Sequence, residues 1–321
     1  MRQLTIDGRT ITQDSPCYVI AEIGHNHGGS VETAAKMIHA AAAAGAHAVK
    51  FQKRSNATLY SADLLAQPYE NENSYGKTYG EHRAALEFGA IQYGACQHEA
   101  QRARVTCFST AFDEASADFL VQMGTPAIKI ASGGLTDTAL LAHVARLGVP
   151  VICSTGGGNM REIDRAAGIL DKGSGGFALL HCTAAYPVRD WREHNLRCIH
   201  TLMEHFPDTI IGWSGHDNGI ALATAAFALG ARIIEKHFTL CRDSKGTDHA
   251  FSLEPGGLQK MCRDLTRCHA ALGDGFKRYY LSEVGPIAKM RRRATANGLQ
   301  ITGQPDTEGV WSHPHNWVTL P

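Results

Sequence analysis

Eight short apolar or β-branched runs in this sequence end on polar residues that packing alone would not select. The ends read Glu22; Lys50 and Gln52; Ser109 and Thr110; Lys129 and Ser132; Ser154 and Thr155; His181 and Thr183; Ser214 and His216; Glu235, Lys236 and His237. Lys50 and Lys129, with Lys236, are fixed cations, while Thr110, Ser132, Ser154 and Ser214 are small neutral donors. Such a set suits a compact dianion carrying a phosphate and a carboxylate, each held by charge-assisted bonds. Backbone N–H groups of Gly133-Gly134 and Gly156-Gly157-Gly158 could serve the same anion at helix N-termini. Glycine runs alone are weak signals, because left-handed turns need them anyway.

A single His is more often a hydrogen-bonded core residue than a ligand. His216 and His237, however, end neighbouring runs, and with Glu22 and water they would make an open site of nitrogen and oxygen ligands. That donor set fits a divalent ion such as Mn2+, with Mg2+ or Co2+ as alternatives. Glu22 and Glu235 are the carboxylates placed to move protons, and equally could be ion partners of Lys50 or Lys236. Cys107, Cys153 and Cys182 fall inside strand patterns and read as small core residues.

These residues need a scaffold that brings eight chain ends together. The runs lie at 18–24, 48–52, 105–110, 127–132, 150–156, 177–183, 209–215 and 231–238. Between most of them lie amphipathic stretches at 31–44, 115–123, 137–147, 160–170, 196–205 and 219–229, with apolar residues at helical spacing. Several close on a glycine, as at Gly124 and Gly148, which marks a helix end. Eight such units predict a (β/α)8 TIM barrel, whose chemistry gathers at the C-terminal ends of the strands. A doubly wound open sheet is the rival. An N-terminal β-hairpin is expected over 1–15 around Asp7-Gly8, the barrel over 16–293, and a short C-terminal extension over 294–321. The polar stretch 55–82 is too long for an idle connection and should sit on the catalytic rim. In the tail, Trp311, His313, His315 and Trp317 are candidates for a lid.

Composition narrows the function. The 321 residues carry 31 basic and 31 acidic side chains, a balance that argues against a nucleic-acid partner, and 44% hydrophobic residues argue against disorder. No apolar run approaches a membrane span and no secretory leader is visible. Nine cysteines without a CxxC pair suggest reduced thiols and a cytoplasmic setting.

The motifs AEIGHNHGGS (21–30), VKFQ (49–52), NSYGKTYGEHR (73–83), FSTAFD (108–113), KIASG (129–133), STGG (154–157), LLHCTAAYP (179–187), GWSGHDNG (212–219), EKHFTL (235–240) and DHAFSLEP (248–255) resemble the sialic acid synthase family. The likeness runs over about residues 17–293. It implies an enzyme that joins phosphoenolpyruvate to the open-chain aldehyde of an N-acylated amino sugar, giving a nonulosonic-type 2-keto-3-deoxy acid and phosphate. Carried over, Lys50, Thr110 and Lys129 would hold the phosphoenolpyruvate carboxylate, and Ser132, Ser154 and Ser214 its phosphate. His216 and His237 would bind the metal with Glu22 beside its water. Asn73, Tyr186 and the Asp248–Glu254 segment would face the sugar, and the assembly would be a homodimer or higher homo-oligomer.

Departures from the family pattern stand at Gly134, where a sugar-binding Glu is usual, at Ala184 for Asn, and at Gly215 for Asp. Relatives continue with an antifreeze-like domain that lends an Arg to a partner's site, and the 28 residues after Arg293 lead to the expectation that it is missing. These changes imply an acceptor other than plain N-acetylmannosamine. The readings from other classes are a metal-dependent hydrolase on the same barrel and a non-catalytic sugar-phosphate-binding barrel.

Overall fold

A computed structural model describes residues 2–311. Strands β1 (Gln3–Ile6) and β2 (Arg9–Thr12) form the expected antiparallel hairpin. Its turn residues Asp7 and Gly8 take φ of 50° and 75°, which is why that pair stands there. Eight parallel strands follow: β3 (Tyr18–Gly24), β4 (Ala48–Lys53), β5 (Thr106–Ala111), β6 (Ile128–Ile130), β7 (Val151–Ser154), β8 (Phe177–Cys182), β9 (Ile210–Gly215) and β10 (Ile233–His237). They close in sequence order, with β10 pairing back onto β3, so the barrel replaces the open-sheet alternative.

Parallel strands buried on both faces divide their side chains between two environments. Outward residues such as Val19, Val49, Ile128, Cys153 and Ile234 pack against the helices. Inward residues of the lower layer are apolar: Ile20, Ala48, Phe108, Ala127, Ile152, Leu180 and Ile233. Leu4, Ile6 and Ile11 of the hairpin join this cluster and plug the floor. One inward step further along each strand, the types switch to Glu22, Lys50, Thr110, Lys129, Ser154, Cys182, Ser214 and Glu235. That switch from apolar to polar on a single face is the physical boundary between core and site.

The helices Val31–Ala43, Glu114–Gln122, Thr138–Arg146, Met160–Leu170, Cys198–His205 and Ala221–Ala228 match the amphipathic stretches, and Gly124 and Gly148 end two of them at φ of 73° and 70°. A helix over Ala90–Ala103 completes the second unit. Its buried stripe of Tyr93, Cys96 and Ala100 has helical spacing, but polar neighbours and Gly94 blur the signal. The stretch 55–82 is ordered, with short helices Asn56–Leu59 and Ala62–Ala66 and the start of Tyr79–Leu86, whose capping box joins Thr78 and Glu81.

Contacts divide the chain into Met1–Ala271 and Leu272–Pro321, so residues 272–293 group with the C-terminal segment and not with the barrel. Within that second unit, Tyr279–Tyr280 pairs with Val310–Trp311, and Arg292–Thr295 forms a hairpin with Gly298–Ile301. Trp311 packs against Tyr280 and under Arg278. His313, His315 and Trp317 lie outside the described residues. No helix among the described residues is long and apolar enough to cross a membrane.

Candidate active site

The polar layer opens into a cavity of about 450 Å³ at the C-terminal ends of the strands. Register aligns its floor: His237 lies beside Glu22, Glu22 beside Lys50, Thr110 beside Lys129, and Ser214 beside Glu235. Lys50 Nζ sits 2.5 Å from Glu22 Oε2 and 3.7 Å from Glu235, and donates to Thr110 Oγ1 at 2.7 Å. Lys129 donates to Ser154 Oγ at 2.6 Å and lies 3.8 Å from Glu235. Burial works to raise the Glu235 carboxyl, but Lys129 and Lys50, then the two histidines, outweigh it and pull it below the ordinary range. Burial also pulls Lys129 down, against Glu235. Two buried ammonium groups are thus balanced by two carboxylates, and Glu235 Oε2 has no hydrogen-bond partner among the described residues.

Of the residues singled out from sequence, Glu22, Lys50, Thr110, Lys129, Ser132, Ser154, Tyr186, Ser214, His216, Glu235, His237 and Asp248 all line this one cavity. Asn73 and Glu254 do not. Asn73 Oδ1 accepts from Gly246 N (2.9 Å) and Glu254 Oε1 from Arg242 N (3.1 Å), so both shape the segment that carries Asp248. Tyr75 reinforces it through its hydroxyl, which donates to Lys245 O at 2.6 Å.

Strand alternation corrects other expectations. Lys236 points outward, paired with Asp217, and His181 points outward to His194 O. Cys182 faces inward and lines the cavity instead of filling the core. Helix Met160–Leu170, downstream of the glycine run, is capped by Asn159 and Glu162, so its N-terminus is already occupied. A Cβ on Gly134 would meet Ile130 Cγ2 at 3.0 Å, and Gly133 is the residue on the wall. At Gly215 a side chain would run into the Trp213 ring.

Sequence reasoning missed the upper wall: His25, Asn26, Arg54, Tyr69, His82 and Arg83. Arg54 is stacked on Phe112 at 3.8 Å and tied to His25 and Gln52. Arg83 lies over Tyr79 at 4.8 Å, and its Nε is buried without a hydrogen-bond partner among the described residues. The signal was present in basic residues within and beside the long rim segment.

The rings of His216 and His237 lie 5.4 Å apart. His216 Nδ1 is 3.0 Å from Thr183 O, so that nitrogen donates and the Nε2 lone pair is left for a ligand. Burial, and then His237 beside it, push His216 down to about 3, which keeps it neutral. His237 Nδ1 is buried without a hydrogen-bond partner, 3.7 Å from Asp248. These donors fit a divalent ion. Glu22 is committed to Lys50 and to Gln52 Nε2 (2.8 Å). No cluster of three ligating side chains forms among the described residues. The protein would therefore supply two imidazoles, leaving the other positions to water and substrate.

A closed (β/α)8 barrel whose inward layer carries buried Lys, Ser and Thr side chains beside a histidine pair defines the class. Residues 37–277 match the NeuB family, and the chain belongs to it. It is 37% identical over 289 residues to mouse N-acetylneuraminate-9-phosphate synthase, covering 90% of this chain and 80% of that protein. With N,N'-diacetyllegionaminic acid synthase of Campylobacter jejuni it shares 35% identity over 295 residues, 91% of this chain and 88% of the relative. The crystal structure of an N-acetylneuraminic acid synthetase from Leptospira borgpetersenii, in complex with citrate, superposes with a TM-score of 0.76 at 32% identity. That match covers 89% of this chain and 95% of the other.

Proposed function

We propose that this chain condenses phosphoenolpyruvate with the open-chain aldehyde of an acylated amino sugar, giving a nonulosonic-type 2-keto-3-deoxy acid and phosphate. The observation that carries this reading is the inward layer of Lys50, Thr110, Lys129, Ser154 and Ser214, a buried cradle for a small dianion. Lys50, Thr110 and Lys129 hold the carboxylate; Ser132, Ser154 and Ser214 hold the phosphate. A divalent ion at His216 and His237 would polarise the aldehyde as a Lewis acid. C3 of phosphoenolpyruvate forms the new bond to the aldehyde carbon, whose oxygen takes a proton. Glu22 accepts a proton from the water that adds at C2; the C2–O bond to phosphate then breaks, phosphate departs with its bridging oxygen and takes the proton of the C2 hydroxyl, and the C2 ketone is left. The fixed Lys and Ser donors stabilise charge as it develops.

The acceptor reading follows from Arg83. Six acceptor carbons joined to three place acceptor C6 at product C9, the end remote from the new bond. Arg83 on the upper wall, its Nε without a hydrogen-bond partner among the described residues, suits an anion at that end, as in the relative named for a 9-phosphate. Asp248 and Tyr186 face the sugar body.

The test is phosphate release with phosphoenolpyruvate, acceptor and divalent ion each withheld in turn. Release that needs all three and is lost in His237→Ala is the expected result. Release without an acceptor would make the chain a hydrolase, and binding of phosphoenolpyruvate without release would make it a binding barrel. Either outcome overturns the proposal.

A further inference from the structure

Lys236 and Asp217 form an ion pair that the reaction does not touch. Lys236 Nζ donates to Asp217 Oδ1 at 2.5 Å and to Asp217 O at 2.7 Å, and both residues are 1% exposed. The ammonium also lies 5.6 Å from the Trp213 ring. The pair faces away from the cavity, with buried His194 as the neighbouring titratable group. Withdrawing two charges from water roughly cancels their attraction, so an apolar pair would hold the fold as well. Stability alone is a poor reason for it.

Its position in the chain supplies a better one. Asp217 directly follows His216, and Lys236 directly precedes His237. The ladder between β9 and β10 ends at Gly215 opposite Lys236, so His216 lies beyond the last strand pairing. The chain there is held by Val188 N donating to His216 O (3.1 Å) and by Lys236 binding one residue twice, through its carbonyl and its carboxylate. A two-point grip fixes the peptide after one imidazole to the residue before the other.

We propose that Lys236 and Asp217 are positioning residues that set the separation of His216 and His237, and with it the site's affinity for a divalent ion. The inference rests on the metal reading above. It is tested by Mn2+ binding, followed by electron paramagnetic resonance and calorimetry, alongside thermal melting. The proteins are the full chain, Asp217→Asn, Lys236→Arg, His237→Ala and the apolar double variant Asp217→Leu/Lys236→Met. Mn2+ affinity falls roughly 10- to 100-fold in Asp217→Asn and in the double variant. Lys236→Arg retains most of it, and the double variant melts near the temperature of the parent. Phosphoenolpyruvate affinity in chelator stays within about twofold across the pair variants, showing an intact floor.

Unchanged Mn2+ affinity in a folded double variant overturns the positioning role while leaving the metal reading standing. Mn2+ binding that is absent from the parent, or indifferent to His237→Ala, removes the metal reading and this inference with it. The double variant keeps the test decisive if a single variant fails to fold, because it leaves no unpaired buried charge.

Discussion

Glu22 and Lys50 face each other across the β3–β4 register at 2.5 Å, both side chains almost fully out of solvent. Lys50 also donates to Thr110, and Glu235 lies within 3.7 Å, so the ammonium is held ready before any substrate arrives. In the proposed reaction a dianion entering the floor would compete with Glu22 for that ammonium, and in displacing it would free the carboxylate to accept a proton.

Glu22→Gln separates the two roles. Phosphoenolpyruvate should bind at least as tightly, because a competing negative charge is gone, while kcat falls about 100-fold or more with loss of the proton acceptor. Steady-state kinetics with calorimetric phosphoenolpyruvate binding checks both; a weaker Kd with unchanged kcat would place Glu22 in a structural role only.

The turn after β7 is tight for a steric reason. Gly156 N donates to Ser132 Oγ at 3.1 Å, and an added Cβ there would lie 2.6 Å from that oxygen and 3.0 Å from Ala184 Cβ. Gly156→Ala should displace the Ser132 hydroxyl and raise KM for phosphoenolpyruvate about tenfold, the equivalent of roughly one hydrogen bond to a charged group. The acceptor KM should hardly change.

Arg83→Ala should raise KM for a 6-phosphorylated acceptor by about 10- to 100-fold, as expected for a lost hydrogen bond to a charged group. KM for the unphosphorylated sugar should stay nearly constant, and Arg83→Lys should recover part of the loss. Equal penalties on both sugars would show that Arg83 supports the rim and does not read an anion.

Acid should loosen the barrel through its buried imidazoles. Burial and His25 hold His27 down to about 3, and burial and Arg9 hold His47 down to about 4. Their unfolded value is about 6.5, so between these limits the unfolded chain binds more protons. The stability they contribute is complete above about pH 6.5 and drains away as pH falls towards the folded values. In the presence of chelator, the melting temperature should therefore drop between about pH 7 and pH 5. His27→Phe, which keeps the ring against Phe88 (4.0 Å), should shallow that slope by up to about 1.4 kcal/mol per pH unit. An unchanged slope would remove His27 as its source.

The barrel and most of the floor were legible because hydrophobic runs and helix ends are local signals. Reading polar strand ends as one converging set overreached where alternation mattered. Glu235 and His237 turn inward, but Lys236 between them turns out to Asp217, and His181 turns out to His194. A period of two fixes which residues share a face, and placing Ile233 inward, beside the hairpin, would have settled all three on β10. Arg54 and Arg83 escaped because their approach to the cavity depends on the folding of a long rim segment. Such tertiary placement leaves no periodic mark. Asn73 and Glu254 carried the right chemistry in the right segments, yet their acceptors are spent on backbone N–H groups of the rim.

The lower layer of inward side chains, with the hairpin's Leu4, Ile6 and Ile11 seated against it, makes the cavity a blind well. Reactants cannot pass through it and must share one entrance. On the proposed reaction, with the cradle deepest and Arg83 and Tyr186 on the same cavity wall, an ordered mechanism is expected: phosphoenolpyruvate would bind before the sugar, and phosphate would leave after the acid. Depth in a well closed from below would then set the order of a two-substrate reaction.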